Sequence, residues 1–219
     1  MAQTFPRSAN QISKVSLILA LAGAGAAGAL LFLVDRSPLH TKQGTFVNQE
    51  VPFSHDHHTA GLGIDCRYCH TAVEESSSAG IPPTATCMNC HKIIWANTEM
   101  LQPVRDSWAT GQPLRWNRVN DLPDYVYFNH SVHVSKGIGC ESCHGPVNEM
   151  PLVYQAHSLQ MRWCLECHRA PEKFVRPREE VFNFDWKPSD VGMSQKELGA
   201  QLVEEYEIAS LDQCSVCHR

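Results

Sequence analysis

The stretch FNHSVHVSKGIGCESCHG, residues 128–145, decides the fold, because two histidines precede a Cys-x-x-Cys-His motif in it. The motif occurs five times along the chain and uses all ten cysteines. Its two thiols can add to the vinyl groups of a haem, and its histidine can bind the iron. The sequence therefore predicts five c-type haems. The predicted attachment residues are Cys66, Cys69, Cys87, Cys90, Cys140, Cys143, Cys164, Cys167, Cys214 and Cys217. The predicted proximal iron ligands are His70, His91, His144, His168 and His218.

Disulfides and zinc are the alternatives for ten cysteines. Disulfide frameworks do not place a histidine after every closely spaced cysteine pair. Paired Cys-x-x-Cys zinc knuckles likewise have no use for a histidine fixed at that position. The regularity of the motif therefore favours haem.

The length of 219 residues leaves fewer than about forty residues per haem after an N-terminal apolar segment. That is too little chain for a conventional core, so we expect loops and short helices around the porphyrins. The predicted fold class is mostly α and irregular, with little sheet. The formal charge of −5 and the lack of a basic cluster argue against a nucleic-acid partner.

The apolar run VSLILALAGAGAAGALLFLV, residues 15–34, has no charge and is long enough to cross a bilayer. A cleaved signal peptide is the alternative, although its apolar core is usually shorter. Small residues recur four apart at Ala20, Ala24 and Gly28, which favours docking against another helix in lipid. Because haem is attached to c-type cytochromes outside the cytoplasm, we expect residues 1–14 in the cytoplasm and residues 35–219 in the periplasm.

Residues 35–219, which we expect to be exported, contain a duplication. Residues 53–91 and 128–168 each contain Phe-x-His-x-x-His followed by two haem motifs, whereas residues 194–219 hold one motif. The motifs begin 21 residues apart in the first unit and 24 in the second. We therefore expect two two-haem modules and a single C-terminal haem. Ser194 to Glu197 has the pattern of a capping box and predicts a helix to about Glu207.

The Phe-x-His-x-x-His element resembles the class III multihaem cytochromes. In that group the first histidine ligates the haem of the next motif and the second histidine reaches another haem. The resemblance implies His55 opposite His70 and His130 opposite His144. His58 and His133 would then serve two of the remaining three haems.

The fifth distal ligand is open on sequence grounds. His157 lies seven residues before Cys164 and is the first candidate, with Met161 and Met150 as alternatives. Methionine would raise the potential of that haem relative to a second histidine. We expect His40 and His57 to lie on the surface or beside the ligands.

Several stretches taken together resemble the pentahaem cytochrome c subunit of bacterial alternative complex III, a quinol-oxidising assembly. They are Phe53-Ser54-His55, Cys66-Arg67-Tyr68-Cys69-His70, Gly80-Ile81-Pro82-Pro83, Cys87-Met88-Asn89-Cys90-His91, Leu122-Pro123-Asp124 and Trp163-Cys164-Leu165-Glu166-Cys167-His168-Arg169. The chain departs from that pattern at Asn120, where similar subunits often carry histidine. The resemblance implies single-pass anchoring in the bacterial inner membrane. It also implies iron–sulfur and integral membrane partner subunits, and a periplasmic carrier or terminal oxidase in a respiratory or photosynthetic chain.

The expected role is electron transfer, since low-spin haems with two ligands leave no open coordination site. The chain would not be an enzyme by itself but an electron-transfer subunit of a quinol:electron-acceptor oxidoreductase. Two alternatives are a subunit of a quinone-reducing complex and a stand-alone multihaem quinol dehydrogenase. A haem without a distal ligand would instead indicate a catalytic multihaem enzyme.

Overall fold

The computed structural model describes residues 4–218, which form two units, residues 4–42 and residues 43–218. Its α-helices are α1 (Ala9–Asp35), α2 (Pro38–Thr41), α3 (Cys66–Cys69), α4 (Thr84–His91), α5 (Gln102–Thr110), α6 (His130–Ser135), α7 (Glu141–His144), α8 (Met161–Arg169), α9 (Gln195–Glu205) and α10 (Cys214–Cys217). A π-helical turn covers Asp56–Gly61. Short 3₁₀ turns cover Glu99–Leu101, Val147–Glu149, Pro171–Lys173, Arg178–Glu180 and Pro188–Val191.

The first unit is dominated by α1, which includes the whole apolar run of residues 15–34. At 1.5 Å per residue its 27 residues extend about 40 Å, more than the hydrocarbon thickness of a bilayer. Within the unit none of its residues is buried, and large apolar side chains such as Leu21 and Leu31 are exposed. Helix α1 is thus long and apolar enough to cross a membrane.

The second unit is a chain of short helices joined by irregular segments. Within residues 43–218 the pairing of extended backbone is limited to three isolated bridges, namely Phe46 with Tyr154, Val126 with His218, and Ile138 with Val175. The predicted fold class, mostly helical and irregular with an N-terminal apolar helix, is confirmed.

Two small apolar clusters are found in this unit. One contains Val175, Trp186, Leu198, Leu202 and Tyr206, and the other contains Val51, Leu101 and Val104. The first cluster forms because α9 presents Leu198 and Leu202, four residues apart, on one face. Helix α9 begins with the predicted capping box between Ser194 and Glu197, and it ends two residues before the predicted boundary.

Close backbone packing fixes the place of α9. Gly199 lies against the 3₁₀ turn Pro171–Lys173, where a Cβ would overlap the carbonyl group of Glu172. At Gly137, which has a φ of 77°, an added Cβ would overlap the carbonyl oxygen of Arg176. The first contact connects α9 to the chain just after the fourth haem motif, and the second connects Arg176 to the chain just before the third.

Replacing Gly199 by Ala should lower the thermal stability of the second unit, because the new methyl group has to displace Glu172. Such overpacking typically costs about 1–3 kcal/mol. Thermal unfolding followed by circular dichroism measures the change. Ala200→Ser, on the exposed neighbouring position of the same helix, is the matched control and should leave the midpoint unchanged. Equal midpoints for both variants would contradict the packing described.

Candidate haem-binding sites

The five Cys-x-x-Cys-His motifs all adopt a helical turn. Helices α3, α7 and α10 consist of little else, whereas α4 and α8 end in their motifs. The motif histidines at the three short turns donate their backbone N–H to the carbonyl oxygen of the first cysteine. These bonds measure 2.8 Å at His70, 2.9 Å at His144 and 2.9 Å at His218. One helical turn therefore holds two thiols and an imidazole close together, as covalent attachment of a haem requires. None of the ten cysteines, which all lie among residues 4–218, forms a disulfide.

Four of the predicted proximal histidines each face a second imidazole. The ring centroids are 6.5 Å apart for His55 and His70 and 6.3 Å apart for His130 and His144, with nearly parallel planes at 2° and 6°. They are 6.2 Å apart for His58 and His91 and 6.1 Å apart for His133 and His168, with planes inclined at 64° and 68°. Each duplicated unit thus contains one parallel pair and one inclined pair.

This spacing fits an iron ion between the two rings. Metal–imidazole nitrogen bonds measure about 2 Å, and the ligating nitrogen lies about 1 Å from its ring centroid, so the two centroids should lie about 6 Å apart. Direct stacking would bring the rings closer, as in the 4.4 Å pair of Phe53 and His58. The four pairs leave the gap that bis-histidine ligation needs.

Backbone carbonyl groups select the ring nitrogen that is available to iron. The Nδ1 atom of His58 lies 2.7 Å from the carbonyl oxygen of Ser54, and that of His133 lies 2.7 Å from the carbonyl oxygen of Asn129. His130 Nδ1 is 2.8 Å from the carbonyl oxygen of Ser77.

The proximal side repeats this arrangement. His70 Nδ1 is 2.8 Å from the carbonyl oxygen of Gly80, and His91 Nδ1 is 3.0 Å from that of Ile94. A carbonyl oxygen can only accept, so each of these Nδ1 atoms carries the proton and donates it. The lone pair then lies on Nε2, which is a common arrangement for histidine bound to a metal.

Burial keeps the ligand histidines neutral. It lowers the pKa of His55 to about 4, with His70 and His58 nearby adding to the effect. Burial and the neighbouring His130 lower the pKa of His144 to about 4 as well. Neutral imidazole is the form that binds a metal, so these sites are ready for iron at neutral pH. Burial also raises the pKa of the Cys143 thiol to about 11.

Phe53 and Phe128 hold the distal histidines, a role the sequence did not reveal. The Phe53 ring stacks on His58 and meets His55 edge to face at 4.9 Å. The Phe128 ring stacks on His133 at 4.5 Å and meets His130 edge to face at 4.7 Å. The first residue of each Phe-x-His-x-x-His element therefore fixes both imidazoles that follow it.

Direct contacts place the motifs beside one another in an order that differs from their order along the chain. Tyr68 of the first motif accepts a hydrogen bond from Asn89 of the second at 3.0 Å. The side chains of Cys66 and Cys140, in the first and third motifs, are in contact, and this contact lowers the pKa of the Cys66 thiol. The backbone N–H of Ser131 donates to the carbonyl oxygen of Ser76 at 3.1 Å at the same junction.

The other two junctions extend the series. Helix α6 carries both His130 and His133, which face the third and fourth motifs. Ser210, four residues before the fifth motif, donates to the carbonyl oxygen of His168 at 3.2 Å. Arg169 forms an ion pair with Asp212 at 3.5 Å beside it. The motifs therefore follow one another in space in the order second, first, third, fourth, fifth.

The fifth site differs from the other four. The ring that meets His218 is that of Tyr125, with centroids 5.7 Å apart, and among residues 4–218 no imidazole faces His218 in this way. His157 instead stacks on Trp163 at 5.0 Å. Met150 is buried and Met161 is exposed. The identity of the fifth distal ligand, His157 or one of the two methionines, remains a prediction.

Three polar residues complete the surroundings of the sites. His57 is exposed and stacks on Trp95 at 5.6 Å, and His40 is exposed within its own unit. Asn120, whose role the sequence left unassigned, lies with its side-chain amide 3.1 Å from Nδ1 of His144.

Paired imidazoles beside Cys-x-x-Cys turns define a multihaem cytochrome c. Comparison with protein families agrees, since residues 126–219 match the family described as "Cytochrome c7 and related cytochrome c". These residues therefore form a cytochrome c7-like multihaem cytochrome domain, whose cofactor is c-type haem.

A curated relative covers part of the chain. The "Menaquinone reductase, multiheme cytochrome c subunit" of Nitratidesulfovibrio vulgaris (strain Hildenborough) is 34% identical over 97 residues, which are 44% of this chain and 45% of that protein. The chain thus spans less than half the length of this relative.

Removing a distal histidine should change one class of iron spectrum and leave the other intact. His130→Ala should remove one of the two low-spin electron paramagnetic resonance signals typical of parallel imidazoles, leaving that of His55–His70, and create a high-spin or ligand-exchanged one. His133→Ala should do the same to a signal typical of inclined imidazoles, because its pair is tilted by 68°. The exposed His57→Ala is the control and should leave both signals in place. Unchanged low-spin signals in the His130 variant would refute its role as a ligand.

Proposed function

We propose that this chain is a membrane-anchored pentahaem cytochrome c that carries electrons for a quinol-oxidising complex of the alternative complex III type. The observation that carries the proposal is the set of four imidazole pairs spaced about 6 Å apart beside Cys-x-x-Cys turns. The ten cysteines attach the haems, the motif histidines are the proximal ligands, and His55, His58, His130 and His133 are distal ligands. His157 is the first candidate for the fifth distal position.

Haem supplies reversible one-electron chemistry at these sites. At the four paired sites the residues favour transfer over catalysis, because two imidazoles per iron leave no position for a substrate. The carbonyl groups that accept from Nδ1 of five paired histidines, together with Phe53 and Phe128, fix the imidazoles against movement. Rigid ligation keeps structural change between oxidation states small, which suits an electron carrier.

The spatial order of the motifs supports a conduit. Neighbouring sites touch through the contacts Tyr68–Asn89, Cys66–Cys140 and Ser210–His168, and they share the distal histidines of α6. The second and fifth motifs are the two ends of the series. We infer that electrons enter the chain near one of these ends and leave near the other.

The membrane and partner assignments rest on α1 and on the comparisons. Helix α1 supports single-pass anchoring. We infer the inner membrane, with the haem-binding unit on the periplasmic side, because haem is attached to c-type cytochromes outside the cytoplasm. The small residues of α1 suit packing against integral membrane subunits. The relative named as a menaquinone reductase subunit supports a place in a quinone-linked complex. The resemblance to the alternative complex III subunit adds iron–sulfur subunits and a periplasmic carrier or oxidase as proposed partners.

A second candidate is a subunit of a quinone-reducing complex. The name of the relative favours it directly, since that protein is a menaquinone reductase subunit. The contacts between motifs serve both directions equally, because a series of haem sites conducts electrons either way. Direction depends on the haem potentials relative to the quinone couple.

The holoprotein should carry five covalent haems, each adding about 616 Da, because every Cys-x-x-Cys-His turn has the residues for attachment. Intact mass spectrometry of the denatured chain measures the number. Cys214→Ser with Cys217→Ser should remove one addition and leave four. Fewer than five additions in the unmodified holoprotein would exclude the pentahaem assignment.

The direction of electron flow can be measured on the complex purified in mild detergent. For a quinol-oxidising complex, potentiometric titration should place most haem potentials above that of the quinone couple, and added quinol should reduce the haems. Most potentials below that couple, with haem oxidation by added quinone, would establish the second candidate instead. The chain without its partners should not oxidise quinol. If it does, a stand-alone quinol dehydrogenase replaces both proposals.

A further inference from the structure

The Nδ1 atom of the first proximal histidine has a different kind of partner in each of the two duplicated units. In the first unit, Nδ1 of His70 meets a backbone carbonyl group, that of Gly80, at 2.8 Å. In the second unit, Nδ1 of His144 meets a side chain, the amide of Asn120, at 3.1 Å. His91 and His218 follow the first pattern, with carbonyl oxygens at 3.0 Å and 3.3 Å. The contact at His144 can therefore be changed by substitution, whereas a backbone carbonyl cannot.

Asn120 is held in place on both sides of the contact. Asn117 donates its backbone N–H to Gln49 at 2.8 Å and its side-chain amide to the carbonyl oxygen of Asn48 at 2.7 Å. Arg118 forms an ion pair with Asp121 at 2.7 Å, which closes the turn around Asn120. The amide thus meets the imidazole from a fixed segment.

Ligation decides which amide atom faces the imidazole. If Nε2 of His144 binds iron, Nδ1 carries a proton and needs an acceptor. Amide oxygen and nitrogen are exchanged by a half-turn about the last side-chain bond, and their assignment follows the hydrogen-bond network. With the nitrogen towards His144, the Asn120 oxygen is buried with no hydrogen-bond partner among the described residues. The half-turn puts that oxygen on the Nδ1 proton.

We propose that Asn120 is a positioning residue that accepts the Nδ1 proton of His144 and thereby sets the reduction potential of the haem at the third motif. The inference rests on the proposed ligation of that haem by His144. An acceptor on the second ring nitrogen fixes the orientation of a ligand histidine and increases its basicity. A more basic ligand stabilises ferric iron and lowers the potential. A stronger acceptor at residue 120 should therefore lower it, and loss of the acceptor should raise it.

The third motif is the middle of the spatial series, so its potential affects transfer in both directions. It adjoins the first motif through Cys66 and Cys140 and the fourth motif through α6. A change at Asn120 thus acts on a site that every electron crossing the chain has to pass.

The test compares Asn120→Asp and Asn120→Leu in the full-length holoprotein. The carboxylate of Asp is a charged acceptor and should lower one haem potential, whereas Leu should raise the same potential. Each shift should correspond to about a tenfold change in the ratio of oxidised to reduced haem, or about 59 mV for a one-electron couple. Redox titration monitored by electron paramagnetic resonance should show one of the two parallel-imidazole signals moving. Comparison with the His130→Ala spectrum assigns that signal to the pair His130–His144 and not to His55–His70.

Matched variants at the exposed Gln112 separate the hydrogen bond at His144 from charge and from general effects of substitution. Gln112→Glu adds the same charge to the same loop, and Gln112→Leu introduces the same apolar side chain, but neither residue contacts His144 or holds Asn120. Both should leave the potential within a small fraction of the Asn120 shifts. Equal shifts at both positions, or shifts of one sign for Asp and Leu at residue 120, would overturn the proposal.

Haem content and the low-spin signals together show whether Asn120 has no effect on the potential or whether His144 does not bind the iron. All four variants should keep five covalent haems and the low-spin signals of the unsubstituted protein. Low-spin signals that persist without opposite potential shifts refute the role of Asn120 alone. Loss of the His130–His144 signal upon His144→Ala should accompany these results, and its persistence would refute the ligation itself.

Discussion

The rest of the structure depends on the distance that an iron ion imposes between two imidazoles. Four histidine pairs keep their ring centroids between 6.1 and 6.5 Å, although nothing but short helices and irregular backbone holds them. Each ring is fixed from outside the pair. Carbonyl oxygens accept from Nδ1 of five of the eight rings, Phe53 and Phe128 pack on the distal rings, and the Cys-x-x-Cys turns carry the proximal ones. The small apolar clusters elsewhere are secondary to this arrangement, because they are few and lie around helices such as α9.

Much of the haem chemistry could be predicted from sequence because it is local. A Cys-x-x-Cys-His motif needs only one helical turn, and Phe-x-His-x-x-His needs two neighbouring turns, so spacing alone identifies them. The mostly helical, irregular fold follows from the same count of haems against residues. The capping box at Ser194 likewise depends on four consecutive residues.

The remainder depends on contacts between distant segments, which no local pattern encodes. The pairing of His58 with His91 and of His133 with His168 depends on how each module closes on itself. Asn120 reaches His144 across 24 residues, and nothing in its neighbours marks it as different from other loop asparagines. The spatial order of the motifs depends on contacts such as Cys66 with Cys140, which lie in different modules.

In the spatial order second, first, third, fourth, fifth, the first four motifs are arranged symmetrically about the junction between the duplicated units. The units meet through the N-terminal motif of each, the first and the third. The C-terminal motif of each unit, the second or the fourth, lies on the side away from the junction. Such an arrangement places the contact between the first and third motifs inside the series and the second and fourth motifs further out. The solitary fifth motif follows the fourth at one extremity, which is where a lengthening chain could acquire another redox centre without rebuilding the middle.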